Sequence, residues 1–279
     1  MKKRRVIVTS ASPPNGSGYG TALAFDLDGR RLGVFRDDAR IADPRGLRVD
    51  PSGRLLYLNS GTDRVLALNA GGTVVYDSGP NPGMNPGGAN FGPDGRLYVG
   101  LRTDRSIAAF PPTLAAAPER ILPVGVVPFP RGFAFAPDGR LFLSSGIGPT
   151  GEGENTVAAF SAERSLVTRR LVGDPELSPL DLIIAPNGNV VVTSEHPFGV
   201  SDAVTTLREY DAATGRLVRV FRPNAAVQFR RPRGLRFDPD GNLFCVAQDE
   251  VVGFDFATAE CLGALVRYPN LNGMALEFF

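Results

Sequence analysis

The feature that most constrains the fold of this chain is a repeated sequence unit. Each copy begins at a proline, continues as a short apolar run, passes through a Pro-x-Gly turn and ends in a second apolar run. Five copies align, and they start at Pro44, Pro86, Pro130, Pro179 and Pro232. Most are followed by a third and a weaker fourth apolar run, and four short strands per repeat at this period are typical of a β-propeller blade.

The Pro-x-Gly turns support the same assignment. In a tight reversal between two strands, proline fixes one φ angle and glycine adopts the positive φ that other residues avoid. The polar residues inside these turns, Asp94, Asp138, Asn187 and Asp240, are therefore predicted to be structural, and we expect any functional site on the opposite face.

The two ends of the chain supply a sixth unit. The C-terminal segment LNGMALEFF from Leu271 resembles the opening strand of a repeat, and the N-terminal runs RRVIVTS, ALAFDLDG and RLGVF resemble the three strands that it lacks. A blade built from both ends closes the ring and leaves no free sheet edge. We predict an all-β, six-bladed β-propeller with four-stranded blades, spanning residues 1–279 as a single domain.

Composition limits the partners that can be expected. Hydrophobic residues make up 43%, charged residues 21%, and the formal net charge is +1, so disorder is excluded and no global charge favours nucleic acid. The apolar run after the basic N-terminus is too short for a secretory signal, and no later run approaches a membrane span. We expect a cytoplasmic protein with no membrane partner.

The pattern P-x-G-[apolar]-x-[apolar]-D-P-x-G-x-[apolar]-[aromatic]-[apolar] covers nearly the whole chain and resembles NHL repeats. It is also similar to the gluconolactonase (senescence marker protein) superfamily, whose members are six-bladed propellers as well. Such propellers include hydrolases, lyases, isomerases and binding platforms, so the resemblance implies the fold more specifically than the function.

Resemblance to the gluconolactonases implies one divalent metal, calcium or magnesium, held by carboxylate and amide groups near the starts of the innermost strands. In this sequence Asp181 and Asn272 are the candidate metal ligands. The arginines predicted around the same ring oppose a cation electrostatically, so the sequence argues against the metal.

Three arginines, Arg45, Arg131 and Arg233, follow a repeat proline and are predicted to converge at one mouth of the central channel. Because guanidinium groups pair bidentately with carboxylate or phosphate, they indicate a pocket for an anionic small molecule. The alternative is that each arginine pairs with an acid of a neighbouring blade. Asn272 and Tyr19, the latter in the N-terminal loop, are further substrate-binding candidates on this face.

The best acid–base candidates are Glu195 and His196, in the segment TSEHPFG. Histidine is the side chain whose unperturbed pKa lies near neutrality, and a neighbouring carboxylate could orient it. Asp181 is the third catalytic candidate, because it could polarise a substrate directly or through a metal. A weaker resemblance, to streptogramin B lyase-type propellers, implies a histidine with an acidic partner and magnesium, and this chain has one histidine.

Two further arginines are predicted to be structural. Arg48 with Asp50 and Arg236 with Asp238 alternate on one side of a strand, which predicts two local ion pairs.

Two functions remain open from the sequence. The first is an enzyme, a hydrolase, lyase or isomerase, acting on an anionic or lactone-like substrate in the channel. The second is a non-catalytic platform for protein or RNA, for which Arg230, Arg231 and Arg233, with Phe229 and Phe129 near the same rim, supply charge and stacking surface.

Overall fold

Short β-strands form all the regular structure that the computed structural model describes, which covers residues 4–11, 20–147 and 153–279. They belong to six four-stranded antiparallel sheets. Within these ranges no helix has the length and apolar character needed to cross a bilayer. The six sheets are the blades of the predicted propeller.

Strands β4 to β23 form five blades of consecutive strands. Blade 1 contains β4 (Gly46–Val49), β5 (Leu55–Ser60), β6 (Arg64–Asn69) and β7 (Val74–Asp77), and blade 2 contains β8 (Pro86–Phe91), β9 (Leu97–Leu101), β10 (Ser106–Phe110) and β11 (Glu119–Arg120). Blade 3 contains β12 (Pro130–Phe135), β13 (Leu141–Ser145), β14 (Thr156–Phe160) and β15 (Leu166–Val172). Blade 4 contains β16 (Pro179–Ile184), β17 (Val190–His196), β18 (Val204–Tyr210) and β19 (Leu217–Phe221), and blade 5 contains β20 (Leu235–Phe237), β21 (Leu243–Val246), β22 (Glu250–Phe254) and β23 (Cys261–Arg267).

Blade 6 is built from both ends of the chain, as the sequence predicts. The N-terminal strands β1 (Val6–Ser10), β2 (Thr21–Phe25) and β3 (Arg31–Asp37) join the C-terminal strand β24 (Gly273–Phe278) in one sheet. Strand β24 pairs antiparallel with β1, so that Val6 lies opposite Phe278 and Val8 opposite Leu276. The pairing closes the ring between the two ends of the chain.

The innermost strands of the six blades, β4, β8, β12, β16, β20 and β24, surround the central channel, and each contacts the next around the ring. Apolar side chains on the blade faces fill the spaces between neighbouring blades. One such cluster joins Phe142 of blade 3 to Leu182, Val192 and Tyr210 of blade 4, all buried. The channel wall is therefore held in place by packing behind it, which makes it a rigid support for a site.

The Pro-x-Gly turns are structural, as predicted. In one of them the Gly139 amide donates to the carbonyl of Ala136 at 2.9 Å, with Gly139 at a φ of 86°. The turn aspartate, Asp138, pairs its carboxylate with Nε of Arg140 at 2.7 Å. These groups satisfy one another within the turn.

The predicted ion pairs of Arg48 with Asp50 and of Arg236 with Asp238 are wrong. The Asp50 carboxylate accepts the backbone N–H groups of its own turn, including that of Leu55 at 2.6 Å, and Asp238 does the same. An aspartate at the end of a strand reaches its turn more easily than a side chain two residues back. Both arginines extend into the channel instead.

Close contact between innermost strands gives a first prediction. A Cβ added to Gly132 would lie 2.6 Å from Cα of Asp181 in the next blade, so Gly132→Ala forces the two backbones apart. We expect a loss of roughly 1–3 kcal/mol in the free energy of unfolding. Gly100→Ala in β9 is the matched control, since its nearest contact would be 3.7 Å. Equal denaturation midpoints for the two variants would contradict this account of the ring.

Candidate anion site in the central channel

The channel contains a cavity of about 50 Å³ between the innermost strands. Its charged lining is strongly unequal, because one carboxylate, that of Asp181, stands among six arginines: Arg45, Arg48, Arg102, Arg131, Arg233 and Arg236. The rest of the wall is glycine backbone and small or apolar side chains. Such a cavity attracts an anion and repels a cation.

Arg102 is the lining residue that most strongly indicates an anion-binding site. It follows β9, its Nε is buried, and no hydrogen bond or ion pair joins its side chain to any residue that the structure describes. The guanidinium carbon of Arg102 lies 5.4 Å from the centroid of the Phe129 ring, a cation–π contact. Burial, together with the charges of Arg45 and Arg131, holds the pKa of Arg102 well below its usual value.

Arg233 has a similar environment next to an acid. Its guanidinium makes no hydrogen bond or ion pair within the described ranges, and burial lowers its pKa. The nearest acids are Glu195 and Asp43, whose charges act in the opposite direction. Glu195 is 4% exposed, its Oε2 has no hydrogen-bond partner among described residues, and burial raises its pKa against the influence of Arg233. Arg233 and Glu195 therefore influence each other by charge without a direct contact.

Arg45 and Arg131, in contrast, are held by other groups. Arg45 donates from Nε to the Asp43 carboxylate at 2.8 Å and from Nη1 to Asn85 Oδ1 at 2.6 Å. Arg131 donates to the carbonyl of Ile147, and its guanidinium carbon lies 4.8 Å from the centroid of the Phe129 ring. The alternative for the predicted arginine ring is pairing with an acid of a neighbouring blade, but Arg45 pairs with Asp43 of its own segment and reaches the neighbouring blade through Asn85. Arg233 has no acid pair within the described ranges.

Arg48 and Arg236 lie deeper in the channel and are satisfied there. Arg236 donates from Nε to Glu277 Oε2 at 3.0 Å and from Nη2 to the carbonyl of Leu47 at 2.6 Å. Arg48 donates from Nε to Asn90 Oδ1 at 3.2 Å. They tie blades 1, 2, 5 and 6 together beneath the cavity, and their donors are already in use.

Asp181 lies on β16 of blade 4 and lines the cavity. Its Oδ2 accepts the Leu235 amide at 3.1 Å, and Arg236 Nη1 lies 3.8 Å away, beyond hydrogen-bond distance. The Asp181 side chain keeps 17% of its surface accessible. Burial raises the pKa of Asp181 to about 7, although the backbone N–H donors of Leu235 and Leu182 lower it in part.

This raised pKa predicts a pH-dependent stability. The folded state holds the Asp181 proton up to about pH 7, whereas the unfolded chain releases it near pH 4. The folded state therefore binds more protons between these values, and its stability falls as the pH rises through that window. Asp181→Asn cannot ionise, so its stability relative to wild type should increase from pH 4 to pH 8 by about 2–4 kcal/mol. Urea denaturation across that range measures the difference, and a pH-independent difference would contradict the assignment.

The remaining predicted site residues lie apart from the cavity or outside the described residues. His196 ends β17 and is not a lining residue; its Nδ1 is buried without a hydrogen-bond partner in the described ranges, and no hydrogen bond joins it to Glu195 there. Successive residues of a strand face opposite sides, which explains why the two separate. Asn272 precedes β24, where its carbonyl accepts the Ala11 amide at 3.2 Å. Tyr19 lies outside the described residues.

The donor groups do not fit the divalent metal that the gluconolactonase resemblance implies. Calcium takes six to eight oxygen ligands, with carboxylates and carbonyls among them, and magnesium takes six, of which one or two are carboxylates and several are waters. The cavity offers one carboxylate, and the described residues contain no group of three or more His, Cys, Asp or Glu side chains arranged around a common point. Arg102 and Arg233, with no acid paired to either in the described ranges, add repulsion at the place a cation would occupy.

The rim expected to stack RNA bases is different from the prediction. Phe229 is completely buried in the core between blades 4 and 5, and Phe129 is 7% exposed beneath two guanidinium groups. Neither ring offers a face to an incoming base. Arg230 and Arg231 are exposed, so the rim keeps its charge but lacks the aromatic surface.

Sequence reasoning missed Arg102 as a site residue. Arg102 lies after the second strand of its blade and not after a repeat proline, so the alignment of strand starts did not select it. The available signal was the place of Arg102 on the loop after β9, at the mouth of the same channel as the strand-start arginines.

Comparison with known proteins agrees with the architecture. No protein-family model matches the sequence, and a comparison with curated proteins gives no significant match. Solved structures match over most of the chain: a chain of a nidogen–laminin complex has a TM-score of 0.74 at 12% identity, covering 98% of this chain and 97% of that one. A putative gluconolactonase has a TM-score of 0.64 at 20% identity over 82% and 79% of the two chains. Virginiamycin B lyase from Staphylococcus aureus has a TM-score of 0.59 at 11% identity over 93% and 76%. At such identities the likeness establishes the fold: the chain is a six-bladed β-propeller similar in structure to gluconolactonase-like and lyase propellers and to the nidogen–laminin type.

Proposed function

We propose that this propeller is an enzyme, a hydrolase, lyase or isomerase, that acts on an anionic or lactone-like small molecule bound in the central channel. The observation that supports it is the pair Arg102 and Arg233, two partly buried arginine side chains that line one cavity with no anion from the described residues bound to either. Burying a charge is unfavourable unless a partner compensates it, so the arrangement favours a ligand that supplies the missing negative charge.

Each residue near the cavity has a distinct proposed role. Arg102 and Arg233 bind the anion, and Glu195 positions Arg233 through its charge. Asp181 polarises the substrate from the channel wall. Arg45 and Arg131, already bonded to protein groups, add positive potential and fix the width of the mouth. Two of the structural neighbours, a putative gluconolactonase and a virginiamycin B lyase, are propellers whose names denote reactions on small molecules, so this architecture is compatible with such a reaction.

Anion binding is the first test. Isothermal titration of acetate, lactate, gluconate and phosphate into the wild-type protein should show binding of at least one anion that weakens with added salt. Arg102→Met and Arg233→Met should each weaken it by roughly tenfold to hundredfold, the value of a charged hydrogen bond. Arg120→Met is the matched control, because Arg120 pairs with Asp104 on the surface. The proposal fails if none of the four anions binds.

Catalysis is tested separately. A panel of lactones monitored by proton release should reveal turnover that Arg102→Met reduces by raising KM. His196→Ala, if His196 transfers the proton, should remove turnover while the protein still folds. Turnover that is unchanged in His196→Ala would assign the proton transfer to another group.

A further inference from the structure

We propose that the ligand of this channel is a short carboxylic acid of about two to four carbon atoms that carries an oxygen substituent next to its carboxylate. The inference rests on the proposed function and narrows it from anions in general to one class. Size, wall rigidity, polarity and the place of Asp181 each contribute to it.

The size of the cavity excludes large ligands. Its volume is about 50 Å³, and one water molecule needs about 10–15 Å³ by the same measure, so the enclosed part holds roughly four waters. A two- to four-carbon acid is of that order. A six-carbon sugar acid could enter only with most of its length outside the enclosed space.

The wall cannot move apart to admit more. Five of its lining residues are glycines at the points where neighbouring innermost strands touch: Gly46, Gly87, Gly88, Gly132 and Gly234. A Cβ at Gly88 would lie 2.8 Å from the carbonyl oxygen of Arg131, and one at Gly234 would lie 2.9 Å from Cα of Ala275. The strands thus meet backbone to backbone, and widening the cavity would separate blades that the core clusters hold together.

The polarity of the wall favours a carboxylate over a phosphate. Arg102 of blade 2 and Arg233 of blade 5 offer donors from facing sides of the channel, whereas Ala89, Leu180 and Met274 are apolar lining residues. A phosphate presents oxygens on all sides and would leave some of them against apolar groups, which is costly. A carboxylate has one polar end, which takes paired donors from a guanidinium, and a carbon chain that suits the apolar wall.

The position of Asp181 is the reason for proposing an oxygen substituent next to the carboxylate of the ligand. It is the one carboxyl group among the described lining residues, and part of its surface faces the cavity. A hydroxyl or keto oxygen on the carbon next to the ligand carboxylate would bring a hydrogen-bonding group to this position of the wall. A plain aliphatic acid would place carbon against the accessible part of the Asp181 carboxyl and offer it no hydrogen bond beyond the one that Oδ2 already accepts from the Leu235 amide, which is unfavourable.

The test is a series of matched acids titrated into the wild-type protein by calorimetry. Propionate, lactate and pyruvate have the same three-carbon skeleton and differ at the second carbon, while gluconate and phosphate probe size and polarity. Lactate or pyruvate should bind at least about tenfold more tightly than propionate, as expected for one hydrogen bond to a buried carboxyl. Which of the two binds more tightly identifies the substituent as hydroxyl or keto.

Variants connect the preference to its cause. Asp181→Leu should bind lactate, pyruvate and propionate equally, and Asp181→Asn, which keeps a polar group, should retain the preference and show that the site still folds. Arg102→Met should weaken all three acids together, and Arg120→Met none of them. Equal wild-type affinity for lactate, pyruvate and propionate, or tighter binding of gluconate or phosphate in an Arg102-dependent manner, would overturn this inference while leaving the proposed function standing. Absence of any anion binding would overturn the proposed function itself.

Discussion

Replacing Arg102 by methionine should make the ligand-free protein more stable and, at the same time, weaken its affinity for anions by roughly tenfold to hundredfold. The side chain is partly buried, its buried Nε has no hydrogen-bond partner among the described residues, and neighbouring arginines repel it. Methionine has a similar length, keeps contact with the Phe129 ring and carries no charge to desolvate. We expect a gain of about 1–3 kcal/mol in the free energy of unfolding, the range found when buried charges are replaced by apolar residues.

The opposite signs distinguish a binding residue from a structural one. A structural arginine loses bonds when it is replaced, so its variants are less stable, whereas a residue kept for its ligand is often a cost to the empty protein. Thermal and urea denaturation without ligand measure the first effect, and calorimetric titration measures the second. Arg120→Met should change stability by no more than about 0.5 kcal/mol, as is usual for surface positions. A destabilised Arg102→Met variant would mean that Arg102 supports the fold.

Glu277→Leu should be one of the larger destabilising substitutions in the ring. Oε2 of Glu277 accepts Nε of Arg236 at 3.0 Å and the Val49 amide at 3.4 Å, and Glu277 lies on β24, the strand that closes the ring. Glu277→Leu would leave Arg236 as a buried charge with Asp181, 3.8 Å away, as its nearest acid. Losing one partner of a buried pair costs about 3–5 kcal/mol, a large part of the total stability of a folded protein.

The double variant tests the reason for that loss. Arg236→Met together with Glu277→Leu removes the charge as well as its partner, so it should be clearly more stable than Glu277→Leu alone. Recovery should be partial, because the carbonyl of Leu47 then lacks the donor that Arg236 supplies. Additive effects of the two substitutions would show that the ion pair is not what makes Glu277 important.

The predicted metal ligands, Asp181 and Asn272, show that a resemblance in repeat pattern implies the fold more securely than the site. Likeness in repeat pattern to the gluconolactonases implies the six blades, which are present, and a metal site, for which the cavity supplies one carboxylate among six arginines. The repeat pattern is set by turns and apolar runs that any such propeller needs. The side chains that enter the channel are not part of that pattern, so they can differ while the fold is kept.

The sequence by itself determined the blade count, the order of the strands and the closure of the ring by both ends. These follow from local rules, because Pro-x-Gly turns and alternating apolar runs specify strands and reversals wherever they occur. The sequence also assigned Arg45, Arg131 and Arg233 to the channel mouth, since their place after the repeat proline is a place in the blade.

Only the tertiary structure decided which charged groups have partners. Arg45 bonds to Asp43 and Asn85, and Arg236 of blade 5 bonds to Glu277 of blade 6. Arg102 bonds to no acid in the described ranges, although it lines the same cavity. Whether a long side chain finds a partner depends on distances between residues that are far apart along the chain. The cost of desolvating an arginine depends on the same distances. An arginine that has no partner is therefore a candidate binding group, whereas one that is bonded to a neighbouring blade stabilises the fold.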